Sequence, residues 1–203
     1  MAVKDLVSSI MPVNAGVIGL NYVMRLNRDT IVKALSATSE KLKSEGVTGE
    51  VCIFGGAAMV LAFDARESTR DVDAVFKPSG IVRKMAAEVA TELDLSPTWL
   101  NDGVKGYTSA EQDYVEGNMP QFSHLRVIRP SASYLLAMKC LAARVEGYDT
   151  AGDKNDVLFL IKELSLGSTE DVLRIVEKYY PANRLHVKTR FFVEEIIQEL
   201  QSQ

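Results

Sequence analysis

The chain has 203 residues, a formal net charge of −4, and 47% hydrophobic and 25% charged side chains, a composition that excludes a disordered chain and is enough to bury a sizeable core. The acidic balance excludes a long electrostatic footprint on nucleic acid, leaving only a local basic patch open. With no apolar stretch of about 18 residues, and no basic segment leading into a cleavable apolar one, neither a membrane span nor a signal peptide is expected, and the expected location is the cytoplasm.

Residues Met1 to Leu26 mix Val, Ile, Met, Pro12, Gly16 and Gly19 without one sustained period. The segment admits a loose helix, a covering arm or a partner-binding element. From Asn27 the pattern sharpens: Asn27 or Asp29 is placed to cap a helix, Ile31, Leu35 and Leu42 share one of its faces, and Gly46 closes it. Glu40, Lys41 and Lys43 read as its solvated face.

Val51, Cys52, Ile53 and Phe54 form a short apolar run that stops at Gly55-Gly56, the pattern of a buried strand opening into a tight turn. Ala57 to Leu61 are mostly good helix formers, so the glycines fall at a helix start. Unpaired N–H groups and the helix dipole favour an anion there, and glycine lets a phosphate approach without a Cβ in the way. The next strand, Asp71 to Phe76, alternates so that Asp71 and Asp73 share one face while Val72 and Ala74 share the other. Two like charges this close call for a counter-ion. Hard divalent cations such as Mg²⁺ take one or two carboxylates together with phosphate oxygens. A phosphate cradle beside a carboxylate pair describes a site for a nucleoside triphosphate held by Mg²⁺.

On these residues the chain resembles the nucleotidyltransferase superfamily that includes DNA polymerase β, whose signature is a strand, a Gly-Gly or Gly-Ser turn opening a helix, and an Asp-x-Asp strand. Gly55, Gly56, Asp71 and Asp73 match it. More narrowly, Gly55-Gly56 followed by Arg66, Thr69 and Asp71-Val72-Asp73 is similar to the abortive-infection toxins of type IV toxin–antitoxin systems and to related bacterial nucleotidyltransferase-like proteins. The resemblance implies that Gly55, Gly56, Arg66 and Thr69 belong to the nucleotide site.

Further along, Ser79 to Leu93 has the periodicity of an amphipathic helix of about four turns, with Lys77, Arg83 and Lys84 near its start as surface charges or as partners for an anion or an acidic acceptor. Trp99 to Gly103 resembles a segment of the same bacterial group. Its Asn-Asp-Gly is a turn signal, and Trp99 reads as core with a base-stacking role as the minority alternative. Val104 to Ser123 is polar and long enough to be functional or mobile, with Glu111, Asp113 and Glu116 in it. His124 to Arg129 is a strand ended by Pro130. Many polymerase β relatives carry a third metal-binding carboxylate on a strand at this place, and this strand has none.

Ser131 or Ser133 is placed to cap a helix through Tyr134, Leu135, Leu136, Met138, Leu141 and Val145. Lys139 lies within that apolar helix, where its ammonium must snorkel to water or meet an anion. Asp153-Lys154-Asn155-Asp156 begins another helix, and Asp153 alone reads as its N-cap. The toxin-like family has a downstream motif of lysine, arginine and paired acids. Lys139, Arg144 and Asp153 to Asp156 resemble it, which implies that Lys139 holds nucleotide phosphate and that Asp156 or Asp153 supplies the distal carboxylate. The register of that acid stays open, because the family often has Lys-Asp where this chain has Gly152-Asp153. Thr169 to Tyr180, introduced by Ser168 and stopped by Pro181, and Thr189 to Gln201 are two last helices. Cys52 and Cys140 read as small buried hydrophobes in a reducing compartment, and His124 and His186 are too few for a zinc site.

The expected fold is α/β (α+β), a small mixed sheet of the nucleotidyltransferase type with flanking helices. It divides into an arm over 1–26, the core over 27–130 and a helical part over 131–203. The expected activity is Mg²⁺-dependent transfer of a nucleoside monophosphate from a triphosphate to an acceptor hydroxyl of RNA, protein or a small molecule. Asp71, Asp73, Lys139 and Asp156 would be catalytic, with Asp71, Asp73 and Asp153 on the metal, and the resemblance implies the toxin of a pair with an antitoxin partner. The alternative is a catalytically degenerate relative that works as a partner-binding module.

Overall fold

Asn27 opens the first helix by accepting the Thr30 N–H at 2.9 Å, a cap that satisfies one of the otherwise unpaired donors at a helix start. The structure, a computed structural model, describes residues 25–142 and 150–202. The remainder of the expected arm, Arg144 and the helix continuation to Val145 lie outside the described residues. Strand β1 (Leu26–Asn27) leads into α1 (Arg28–Ser44), followed by β2 (Gly49–Ile53), α2 (Gly55–Ala62), β3 (Ser68–Thr69), β4 (Val72–Lys77), α3 (Ser79–Glu92) and β5 (Leu100–Asn101). A 3₁₀ turn (Gly103–Tyr107), β6 (Tyr114–Val115) and β7 (Leu125–Pro130) complete the sheet region. Helices α4 (Ala132–Ala142), α5 (Thr150–Glu163), α6 (Thr169–Tyr179) and α7 (Val187–Gln201) follow.

The main sheet is mixed and five-stranded, in the order β5-β4-β2-β7-β6, and β1 pairs with β3 in a separate two-stranded ribbon. Strand β2 is antiparallel to β4 and parallel to β7. Its register fixes which side chains share a face, because paired residues point the same way and the side-chain period is two. Val51, Ile53, Ala74, Phe76 and Val127 face the layer made by α1 and α3. Gly49 belongs to that face too: a Cβ there would meet Leu42 and Val82 at 2.9 and 3.2 Å. The opposite face carries Cys52, Val75 and Ile128 in one rank and Glu50, Lys77 and Arg126 in the next. Asp73 extends that face toward the end of the sheet.

One hydrophobic cluster runs from α1 and the sheet into α4, α5, α6 and α7, so burial of apolar surface joins the helical part to the sheet. Ser131 caps α4 by accepting the Tyr134 N–H at 3.2 Å, and Ser168 caps α6 by accepting from Asp171. Aromatic contacts tie the helices to the loop after β5. Tyr134 stacks on Tyr179 at 4.8 Å and its hydroxyl accepts the Ser109 N–H at 2.6 Å, while the Tyr180 hydroxyl donates to the Tyr107 carbonyl at 2.6 Å. The C-terminal helices therefore hold the loop that borders the site described below.

Several sequence expectations change in detail. Helix α5 begins at Thr150, so Asp153 sits inside its first turn instead of capping it. Helix α7 begins at Val187, two residues before the expected Thr189. Trp99 is 1% exposed and donates Nε1–H to the Ala86 carbonyl at 2.9 Å, which makes it core and removes it as a stacking platform. Arg83 and Lys84 are ion-paired with Asp102 and Glu45, as a solvated surface is.

Candidate active site

The site begins where β2 ends. The Phe54 N–H donates to the Asp73 carbonyl at 2.8 Å, which sets the end of β2 against Asp73 just as the chain turns into α2. Gly55 takes φ +58°, a left-handed conformation that a side chain makes costly. A Cβ at Gly55 would stand 3.3 Å from Asp73 Oδ2, and one at Gly56 would stand 2.7 Å from Thr69 Oγ1. Gly55 is thus required by the turn, and Gly56 by close approach. Helix α2 has no side-chain hydrogen bond at its N-cap, so its first N–H groups keep the unpaired, electropositive character of a helix start.

Gly55, Gly56 and Asp73 line one wall of a cavity of about 290 Å³, together with Lys139 and Asp153; Val104, Tyr107, Leu135 and Met138 give it an apolar side. Arg66, Thr69, Asp71 and Asp156 are not in that lining. Thr69 is buried and packs against Gly56. Arg66 reaches the buried acid of α5, its Nε lying 2.6 Å from Asp156 Oδ1. In this structure Thr69 contacts the glycine turn and Arg66 contacts α5.

Asp71 and Asp73 stand close enough for the charge of one to act on the other. Burial pushes the Asp71 carboxyl above the usual carboxylate range and the charge of Asp73 adds to the rise, partly offset by a hydrogen bond from Asn101. Burial likewise raises Asp73, offset by Asn101 and by the field of Lys139. Among the described residues no lysine or arginine is within ion-pair distance of either carboxylate. Such a pair, half-buried and facing an uncapped helix start, has the donor set that a hard divalent cation takes.

Lys139 is 8% exposed, and of the two fates open to its ammonium it takes the anion. Its Nζ lies 2.5 Å from Asp156 Oδ2 and 3.1 Å from Asp153 Oδ1. Asp156, 1% exposed, is held between Lys139 and Arg66, and its place is that of a partner to two cations. Asp153 is also 3.6 Å from Arg66 Nη2. It shares the cavity with Asp73, but its carboxylate is engaged by the cations. Among the described residues no third His, Cys, Asp or Glu joins Asp71 and Asp73 as a metal-holding group.

Sequence reasoning missed Asn101. Its Nδ2 donates to Asp71 Oδ2 at 3.1 Å, and it lies opposite Asp73 in the parallel β4–β5 register. Asn-Asp-Gly reads locally as a turn, and only strand pairing reveals that the Asn side chain belongs beside the aspartates. Tyr107 was also missed; it supplies an aromatic ring to the cavity from within a loop that carried no motif.

The chain matches no family model, no curated protein and no solved structure.

Proposed function

We propose that the chain is a divalent-metal-dependent nucleotidyltransferase. The observation that carries this reading is the juxtaposition of Asp73 with Gly55: a carboxylate lifted by burial and without an ion pair among the described residues, against a helix start that can receive phosphate. The triphosphate would lie along Gly55 and Gly56 with its charge also met by Lys139. The nucleobase would lie against Tyr107, Leu135 and Met138, an aromatic and apolar wall suited to a π-face.

Bound Mg²⁺ at Asp71 and Asp73 would supply Lewis-acid polarisation of the phosphoryl oxygens. The residues then do the remaining work. The acceptor hydroxyl oxygen bonds to the α-phosphorus, the bond from that phosphorus to the α–β bridging oxygen breaks, and pyrophosphate leaves with the electron pair. Asp73 takes the hydroxyl proton, being the carboxylate that lines the cavity beside the glycine turn. Lys139 balances charge on the departing phosphates, and Asp156 keeps its ammonium oriented.

The test is transfer of label from each α-labelled nucleoside triphosphate, with Mg²⁺, to cell RNA, to cell protein and to small-molecule extract. Transfer by wild type that is lost in Asp73→Asn supports the reading. Equal transfer by that variant refutes it. The toxin role implied by the resemblance predicts growth arrest on expression that Asp73→Asn cancels; arrest that persists in the variant assigns the effect to partner binding.

A further inference from the structure

We infer that Asn101 is a positioning residue that orients Asp71 beside Asp73 before the cation arrives, through its hydrogen bond to the Asp71 carboxylate and its place opposite Asp73 in the strand register; this rests on the reading of Asp71 and Asp73 as the metal pair. The orientation of an asparagine amide is ambiguous in itself, since its O and N ends are nearly isosteric. Here a backbone group decides it. The Gly103 N–H points at Asn101 Oδ1 at 3.0 Å, and an N–H can be matched only by an acceptor, so the amide oxygen must lie on that side. The NH₂ end is thereby turned toward the carboxylates and donates to Asp71 Oδ2 at 3.1 Å.

The strand pairing makes this placement rigid. Strand β5 runs parallel to β4, with Val72 opposite Leu100 and Asp73 opposite Asn101. The Val72 N–H donates to the Trp99 carbonyl at 2.6 Å, and Trp99 is itself locked in the core by its bond to Ala86. A buried tryptophan thus fixes the height of β5 against β4, and the Gly103 turn fixes the rotation of the Asn101 side chain. A neutral donor beside two like charges lowers their mutual cost without competing with the cation for the carboxylates, as a lysine or arginine there would. Asn101 therefore plays toward the aspartates the part that outer hydrogen-bonding partners play toward metal ligands. It acts through Asp71 and Asp73, and it is not itself a ligand, because its oxygen is already engaged by Gly103.

The experiment uses the full chain and Mn²⁺ alone, whose binding is read by electron paramagnetic resonance, together with thermal melting. Wild type should bind Mn²⁺, and Asp73→Asn should not. Asn101→Leu, which keeps the size and removes the donor, should bind about tenfold more weakly or worse. Asn101→Asp keeps the size and the acceptor for Gly103 but replaces the donor with a third negative charge. It should melt below wild type without metal, and Mn²⁺ should raise its Tm by more than it raises that of wild type. Mn²⁺ affinity of Asn101→Leu within about twofold of wild type, or an Asn101→Asp protein that melts like wild type with and without Mn²⁺, overturns the inference while leaving the two-aspartate reading in place. A wild-type protein that binds no Mn²⁺ overturns both.

Discussion

Lys139 Nζ lies 2.5 Å from Asp156 Oδ2, and neither side chain is more than 9% exposed. The pair joins α4 to α5 across the wall of the cavity, and Arg66 closes it from the other side at 2.6 Å. A buried lysine and a part-buried arginine around one buried carboxylate make that carboxylate hard to remove.

Asp156→Ala leaves both cations without their nearest anion, and breaking a buried pair by deleting one partner costs about 3–5 kcal/mol. Asp153, whose side chain is 46% exposed, is screened by water, and Asp153→Ala should cost about 0–1 kcal/mol. Urea unfolding of the two variants side by side measures the difference. Equal midpoints would show that Asp156 does not anchor the cluster.

At the glycine turn, Gly56→Ala would set a Cβ 2.7 Å from Thr69 Oγ1, closer than packed atoms come. The expected loss is about 1–3 kcal/mol, the usual range for overpacking. Adding Thr69→Ala removes that oxygen, so the double variant should recover part of the loss. A double-mutant cycle with no coupling between the two sites would contradict the contact.

Metal dependence separates the proposed chemistry from a binding role. Chelation by EDTA should abolish nucleotidyl transfer and excess Mg²⁺ or Mn²⁺ should restore it, because among the described residues no lysine or arginine pairs with Asp71 or Asp73 in the metal's place. Transfer that survives chelation would remove the two aspartates from that role.

Asp113 predicts the acid behaviour of the fold. The Tyr179 hydroxyl donates to its Oδ2 at 2.5 Å and the Ser131 hydroxyl at 2.8 Å, and these bonds, Tyr179 first, hold its carboxyl below the ordinary value of 3.8. A depressed folded-state pKa contributes stability that is present above the unfolded value and is lost as the pH falls through the folded one. Wild type should therefore lose stability below about pH 3.8, and Asp113→Asn should show a shallower fall over that range in urea unfolding at stepped pH. Parallel curves would show that the carboxylate is not linked to folding.

The two thiols should be silent in the native protein. Cys140 is buried and its thiol is pushed up to about 12; Cys52 is raised too, chiefly by burial. Since the thiolate is the reactive form, a disulfide reagent at neutral pH should modify neither until the chain is unfolded, as absorbance of the released thiolate would record. Prompt native labelling would place one of them at the surface.

The chain by itself determined what depends on neighbours in sequence. Apolar runs marked β2 and β7, period-two alternation marked β4, helical periodicity marked α1 and α3, Asn27 and Ser168 marked helix starts, and Gly55-Gly56 with Asp71-Val72-Asp73 marked the candidate site, because turn chemistry and alternation are local. The tertiary structure decided what depends on pairing. It put Asn101 opposite Asp73 through a strand register, set Lys139 against Asp156 across two helices, and packed Thr69 against Gly56 and Arg66 against Asp156. No local pattern carries such information, since the partner of a buried charge or of an edge strand is fixed only when the chain packs and each polar group must find its match away from water.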